Sequence, residues 1–290
     1  MKEYENVVKS VHDRLLNLSK KHQTVFVEIL NRYGIECVLK RIELSDYSSK
    51  LILKGSNMFI LWRGGFGYRP TMDADFEFRG KASVDIILGM FAEIVRIVPT
   101  EDDGLRFDAS NIKVEQIRAN DEYGGVRVNL MGFLGRTRIP LQFDIGVGDA
   151  ITPAPRKESF PTLLEEVNPK VRVYPKETFI AEKFETIVKR GIANSRLKDY
   201  FDLYYLSQDE SVDMQILRAA VKRTFSRRKT AVPKDLPFGL TESFASDSKK
   251  LVQWNAFLHK SRLQLDVEFS VVVAELRQFY KRIVDNARFV

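Results

Sequence analysis

Cysteine, histidine and long apolar runs are scarce in this chain, and each shortage excludes something. A single cysteine, Cys37, among 290 residues rules out an internal disulfide framework and fits a reducing, cytoplasmic compartment. Its apolar neighbours make it a packing residue rather than a nucleophile. The three histidines (His12, His22 and His259) are scattered, and no CxxC or HExxH pair occurs, so no zinc ligand set is offered. No apolar run approaches the roughly 18 residues that cross a bilayer. The opening MKEYENVVKSVHDRLL lacks the apolar core of a signal peptide, so no membrane or secretory segment is expected.

The residues that are plentiful describe a globular protein. Hydrophobic residues make up 44% and charged residues 29% of the chain, ordinary values for a packed domain. Its length suffices for one large domain or two ordinary ones. The formal charge is +7, but residues 1–150 hold as many acidic as basic groups. The whole excess lies in residues 151–290, which points to a polyanionic partner held by the second half.

The most informative stretch is LKGSNMFILWRGGFGYRPTMDADFEF, residues 53–78. The apolar run Leu51-Ile52-Leu53 reads as a short buried strand that stops at Gly55-Ser56. A compact apolar helix over 57–63 comes next, then a loop through Gly67 and Pro70. Strand alternation over 73–78 puts Asp73, Asp75 and Glu77 on one face and Ala74, Phe76 and Phe78 on the other. Burying the aromatic face leaves the acidic one over a cleft, where two carboxylates roughly 7 Å apart along a strand can converge on a divalent cation. An ordinary solvated strand face explains the same pattern. At Gly55-Ser56, backbone N–H groups, the helix start and the Ser56 hydroxyl form a cradle for phosphate oxygens; a plain helix cap is the alternative.

The remaining elements frame this stretch. Helical spacing over 5–33 predicts two helices broken near 19–23, with Gly34 as a C-cap. Residues 35–49 are ambiguous. Residues 84–98 read as a helix, and 112–118, 126–134 and 138–145 as strands, the last two joined by a hairpin at Gly135-Arg136-Thr137. Pro140 suits an edge position or a strand start. Asp144 lies where the last strand runs into Gly146 and Gly148, so it can reach a metal from a neighbouring strand. Thr152-Pro153-Ala154-Pro155 is a linker signal, and the chain beyond it is mostly helical: 176–190, 195–206 with Ser195 as N-cap, 212–225 and 267–284, with 233–244 as a loop. The division expected is 1–155, an α/β domain, and 156–290, a basic helical domain, with the active site in the cleft between them.

A second constellation combines Lys183 on one helix with Arg196, Lys198, Asp199 and Asp202 on the next. A surface ladder of salt bridges accounts for it. The aromatic setting of Tyr200, Phe201 and Tyr204 instead suggests partial burial, where charges need partners or a task.

The blocks LKGSNMFILWRGGFGYRPTMDADFEF, LQFDIGVGD and AEKFETIVKRGIANSRLKDYFDLYYL, in that order over about residues 50–206, resemble the AbiEii / MenT family of nucleotidyltransferase-like toxins, related to the DNA polymerase β superfamily. The resemblance implies an α+β fold: a polymerase-β-type domain with a mixed, mostly antiparallel sheet, followed by a helical domain. It places the Gly-Ser motif on Gly55 and Ser56 and the metal-binding Asp-x-Asp on Asp73 and Asp75, with Asp144 as third carboxylate. Lys183, Arg196, Lys198 and Asp199 match the family's later motifs as nucleotide-binding residues, Lys183 and Asp199 also as catalytic ones. The implied activity is Mg²⁺- (or Mn²⁺-) dependent transfer of a nucleoside monophosphate from an NTP to the 3′ end of tRNA, by a cytoplasmic, monomeric toxin restrained by a cognate antitoxin. Lys222, Arg223, Arg227, Arg228 and Lys229 are the candidate RNA contacts, with a solvated helix end as the alternative. Competing readings are a metal-dependent nuclease acting on RNA, a nucleotidyltransferase modifying a protein, a DxD glycosyltransferase and a silent binding module.

Overall fold

A computed structural model describes residues 2–66, 68–117, 124–164, 168–263 and 265–284; Gly67 of the expected loop and Arg118 of an expected strand fall outside them. The chain forms two compact units, residues 1–148 with 156–173, and 149–155 with 174–290. Residues 156–173, expected in the helical domain, instead belong to the first unit, because they supply strands to its sheet. No helix among the described residues is long and apolar enough to cross a membrane.

The first unit opens with helices α1 (Lys2–Lys21) and α2 (Phe26–Glu43). Acidic Glu3 and Glu5 in the first turn of α1, and Lys20 and Lys21 in its last, match the helix dipole. The break falls between them as the spacing predicts, but Gly34 does not end a helix. It lies in mid-α2, where an added Cβ would come within 2.8 Å of Leu141 Cδ2. Glycine is there for close approach, and the ambiguous stretch after it continues the helix. Cys37 is fully buried on α2, and burial pushes its thiol up, as a packing residue requires.

Then come β1 (Leu51–Lys54), the short helix α3 (Met58–Arg63), β2 (Asp73–Phe78), α4 (Val84–Arg96), β3 (Leu105–Phe107), β4 (Lys113–Ile117), β5 (Gly125–Leu134), β6 (Thr137–Val147), β7 (Arg156–Ser159) and β8 (Lys170–Val173). The strands form one mixed sheet in the order β3-β5-β6-β2-β1-β8-β7, with β4 also on β5. Five pairings are antiparallel; β2–β6 and β1–β8 are parallel. The sheet is mixed and mostly antiparallel, as expected. Strands β3, β7 and β8 were not anticipated, being only three or four residues long.

Ala74, Phe76 and Phe78 are buried beneath the sheet, with Phe143 of β6 packed on Phe91 of α4 at a ring separation of 5.3 Å. Pro140 sits in β6 ahead of Gln142, where the β2 pairing begins. Its carbonyl accepts from Asn31 Nδ2 at 3.0 Å, so its backbone faces the side without a strand and the missing N–H costs no ladder bond.

The second unit is helical: α5 (Lys176–Arg190), α6 (Leu197–Ser207), α7 (Met214–Arg227), α8 (Glu242–Ala245), α9 (Ser248–Lys260) and α10 (Phe269–Val284). Its core is aromatic, with Tyr200 stacked on Phe244 at 5.5 Å and Trp254 on Phe269 at 4.9 Å. Asp213 and Asp247 cap α7 and α9. Ser195 does not cap α6; Arg196 takes the N-cap position, and Asn194 Oδ1 accepts from its backbone N–H at 3.0 Å. The expected loop over 233–244 includes a 3-10 turn, Phe238–Leu240, and the start of α8.

Candidate active site

In the first unit the residues expected to carry function gather where β1 ends beside β2. Lys54 is the register partner of Asp75, so the following residue, Gly55, comes against the Asp75 carboxylate. Gly55 has φ +70°, and a Cβ built there would lie 2.0 Å from Asp75 Oδ2. Both the backbone conformation and the space therefore demand glycine. Residues 55–57 make a single 3-10 turn before α3. Since α3 has only six residues, its dipole would add little to an anion site at this turn.

The Ser56 hydroxyl donates to Thr71 Oγ1 at 2.8 Å, which donates in turn to Asp73 Oδ1 at 2.8 Å. Asn57 Nδ2 donates to the Asp73 carbonyl at 2.7 Å. Thr71 and Asn57 thus fix the aspartate that opens β2, and the sequence reading passed over both. A threonine two residues before an aspartate was the available signal. Glu77 shares the aspartates' face by alternation but is buried, its carboxylate satisfied by Lys54 Nζ at 2.9 Å, so it contributes no free acid.

Asp144 is the register partner of Asp75 across the parallel β2–β6 pair, as a third carboxylate should be. Its two oxygens, however, accept from Arg127 Nε and Nη2, each at 2.8 Å. Hydrogen bonding to Asp144 raises the Arg127 pKa. Among the described residues, no three His, Cys, Asp or Glu side chains converge as a metal site. Asp144 is thus engaged as the ion-pair partner of Arg127. Arg127 went unnoticed, although counting back from the hairpin turn places it opposite Asp144. Asp73 and Asp75 remain: hard oxygen donors on one strand face, the chemistry that Mg²⁺ or Mn²⁺ takes when water and phosphate complete its shell.

The second unit holds a buried ion network. Lys183 Nζ of α5 lies 2.6 Å from Asp199 Oδ1 and 2.8 Å from Asp202 Oδ2 of α6, and Arg196 Nε lies 2.6 Å from Asp199 Oδ2. Both aspartates are wholly buried, so the surface-ladder alternative fails here. Lys198 points outward on the exposed side of α6. Burial acts to raise the Asp199 pKa, but the charges of Lys183 and Arg196 outweigh it and leave it below the ordinary 3.8. A carboxyl depressed in the folded state stabilises above its unfolded pKa, and that contribution fades as pH falls through the folded value. Thermal melting followed downward from pH 6 should show a loss of stability near and below pH 4 that shrinks in Asp199→Asn.

The basic cluster on α7 divides. Lys222, Arg223, Arg227 and Lys229 are exposed. Arg228 is not a free phosphate contact: it forms a fork with Asp149 at 3.0 Å for each bond and meets Glu185 at 3.0 Å and Glu182 at 3.3 Å. Burial disfavours its charge, yet Glu182 and Asp149 overcome this and raise its pKa.

A family model described as "Nucleotidyl transferase AbiEii toxin, Type IV TA system" matches residues 37–275. Comparison with curated protein sequences gave no match. Among solved structures, JHP933 from Helicobacter pylori is similar at a TM-score of 0.51 and 16% identity, over 89% of this chain and 93% of that one. A putative nucleotidyltransferase from H. pylori is similar at 0.50 and 15%, over 88% and 93%. MenT4, a nucleotidyltransferase toxin from Mycobacterium tuberculosis H37Rv, is similar at 0.50 and 14%, over 97% of each chain. At these identities the structural likeness is one of fold.

Proposed function

The chain belongs to the AbiEii family of nucleotidyltransferase toxins of type IV toxin–antitoxin systems, and from that membership we propose that it transfers a nucleoside monophosphate from an NTP to RNA, the 3′ end of tRNA being the acceptor. The observation that carries this is Gly55 closed against Asp75, with Ser56 tied through Thr71 to Asp73. This geometry supports reading the turn as a phosphate cradle and the two aspartates as cation ligands.

In this reading the Gly55 backbone and Ser56 hold the β- and γ-phosphates, and Asp73 and Asp75 hold Mg²⁺ or Mn²⁺. The cation, when bound, neutralises charge on the phosphate oxygens. Asp144, beside Asp75 and oriented by Arg127, takes the proton of the acceptor hydroxyl. That oxygen bonds to the α-phosphorus, the bond to the bridging oxygen breaks, and pyrophosphate leaves with the electron pair. Within the second unit Lys183 holds Asp199, which anchors Arg196. The exposed Lys222, Arg223, Arg227 and Lys229 meet RNA phosphates, so binding should weaken steeply with salt. Family membership also implies an antitoxin partner. A nuclease reading is weaker, because hydrolysis has no triphosphate for the Gly55 turn to hold.

The decisive experiment incubates the protein with total tRNA, Mg²⁺ and each labelled NTP in turn, beside Asp73→Asn. Label should enter RNA with one or two NTPs and be absent in the variant. RNA shortening without NTP would instead establish a nuclease, and label on protein alone would move the acceptor to a side chain.

A further inference from the structure

Beyond Asp73 the sheet carries a polar row that the donor site does not use. Register pairs Asp73 with Gln142, Gln142 with Asn129, and Asn129 with Lys113. Directly paired residues stand on the same face of a sheet, so these side chains run in line from the first aspartate across β6, β5 and β4. At the same place, where β6 extends past the start of β2, lies a pocket of about 440 Å³, a size that suits a small organic group. Asn129, Gln142 and Lys113 line it together with Met72, Met131 and Asn31.

Asn31 makes this more than a surface dent. It is 2% exposed, and its Nδ2 donates to the Pro140 carbonyl, which fixes the orientation of the amide. Its Oδ1 is buried with no hydrogen-bond partner. A buried acceptor left unpaired carries a desolvation cost, and a ligand N–H in the pocket would relieve it. Beside this unsatisfied amide the wall offers two further amides, Asn129 and Gln142, able to donate or accept, and methionine thioethers that pack against flat rings. That combination suits a nucleobase: polar edges between apolar faces.

The sheet order says whose base it is. Gly55 and Ser56 follow β1, on one side of β2, whereas the pocket lies on the other side, over β6, β5 and β4. Phosphoryl transfer sets the attacking and leaving oxygens roughly in line across the phosphorus. With pyrophosphate held on the β1 side, the attacking hydroxyl comes from the β6 side. We propose that this pocket receives the 3′-terminal nucleobase of the RNA acceptor and selects which end is modified, through Asn31, Asn129 and Gln142. This rests on the transfer reaction proposed above.

The test uses the full chain and four RNA oligonucleotides that differ only in a 3′-terminal A, C, G or U, with the NTP found to be the donor. Wild type should prefer one or two ends. Asn129→Leu and the near-isosteric Gln142→Met should each raise KM for the preferred RNA roughly 10-fold and flatten the preference, with KM for the NTP unchanged. Two such variants guard against misfolding of one, checked by thermal melting. If wild type labels RNA but both variants keep its acceptor KM and end preference, the pocket assignment is overturned and the transferase stands. If wild type labels no RNA, or labels only protein, the functional reading fails and the pocket's role falls with it.

Discussion

Asp75→Asn should lower nucleotidyl transfer by about 10³-fold while leaving the fold intact. The side chain lies against the Gly55 turn, and Asp144 is its register partner across the parallel ladder. The amide is isosteric, so the close approach of Gly55 survives. The loss is the negative charge that would hold a divalent cation against the phosphates. Stability should change little, because the Asp144 charge across the ladder is already engaged by Arg127. Single-turnover kinetics with the labelled donor and a thermal melt in EDTA check the two halves. Full activity in Asp75→Asn would remove Asp75 from the cation site. Lost activity with a collapsed melt would make the residue structural.

Lys183→Met should cost about 3–5 kcal/mol of stability, as removing one partner of a buried ion group does. Lys183 Nζ meets two wholly buried aspartates, and the thioether satisfies neither. Arg196 still reaches Asp199. For a unit of this size the melting point should fall by roughly 10 °C, and adding Asp202→Asn should restore part of it. Urea unfolding of the single and double variants measures both effects. A Lys183→Met protein that melts like wild type would show that the aspartates are satisfied without the lysine, and the residue would then be read from its kinetics alone.

Legibility tracked the reach of each signal. Alternation along β2 was sufficient to separate Asp73 and Asp75 from the buried phenylalanines, and Gly-Ser after an apolar run located the turn beside them. Both are local patterns. Gly34 misled because a glycine's local meaning, a cap, was overridden by a partner more than a hundred residues away, Leu141. Glu77 obeyed alternation yet was buried, since Lys54 on the neighbouring strand neutralises it. Parity assigns a face, whereas burial depends on what covers it. Arg127 was passed over and Arg228 misjudged for a related reason: composition counts charges, but only register and packing show which are already engaged by Asp144 or by Asp149, Glu182 and Glu185. The strands β7 and β8 are too short for period-two alternation to register, which is why the second unit was begun too early in the chain.

The chain enters the second unit at Asp149, returns to the first for residues 156–173, and leaves again at Tyr174. This path matters for synthesis on the ribosome. β1 is made early, but its parallel neighbour pairs Arg172 with Ile52, so the sheet stays open on that side until β8 has emerged. Any message broken between these points yields a β1 that is an exposed edge, prone to pairing with other chains, rather than an interior strand. The turn at Gly55 is thus carried by a strand whose surroundings are completed only by the later-made segment.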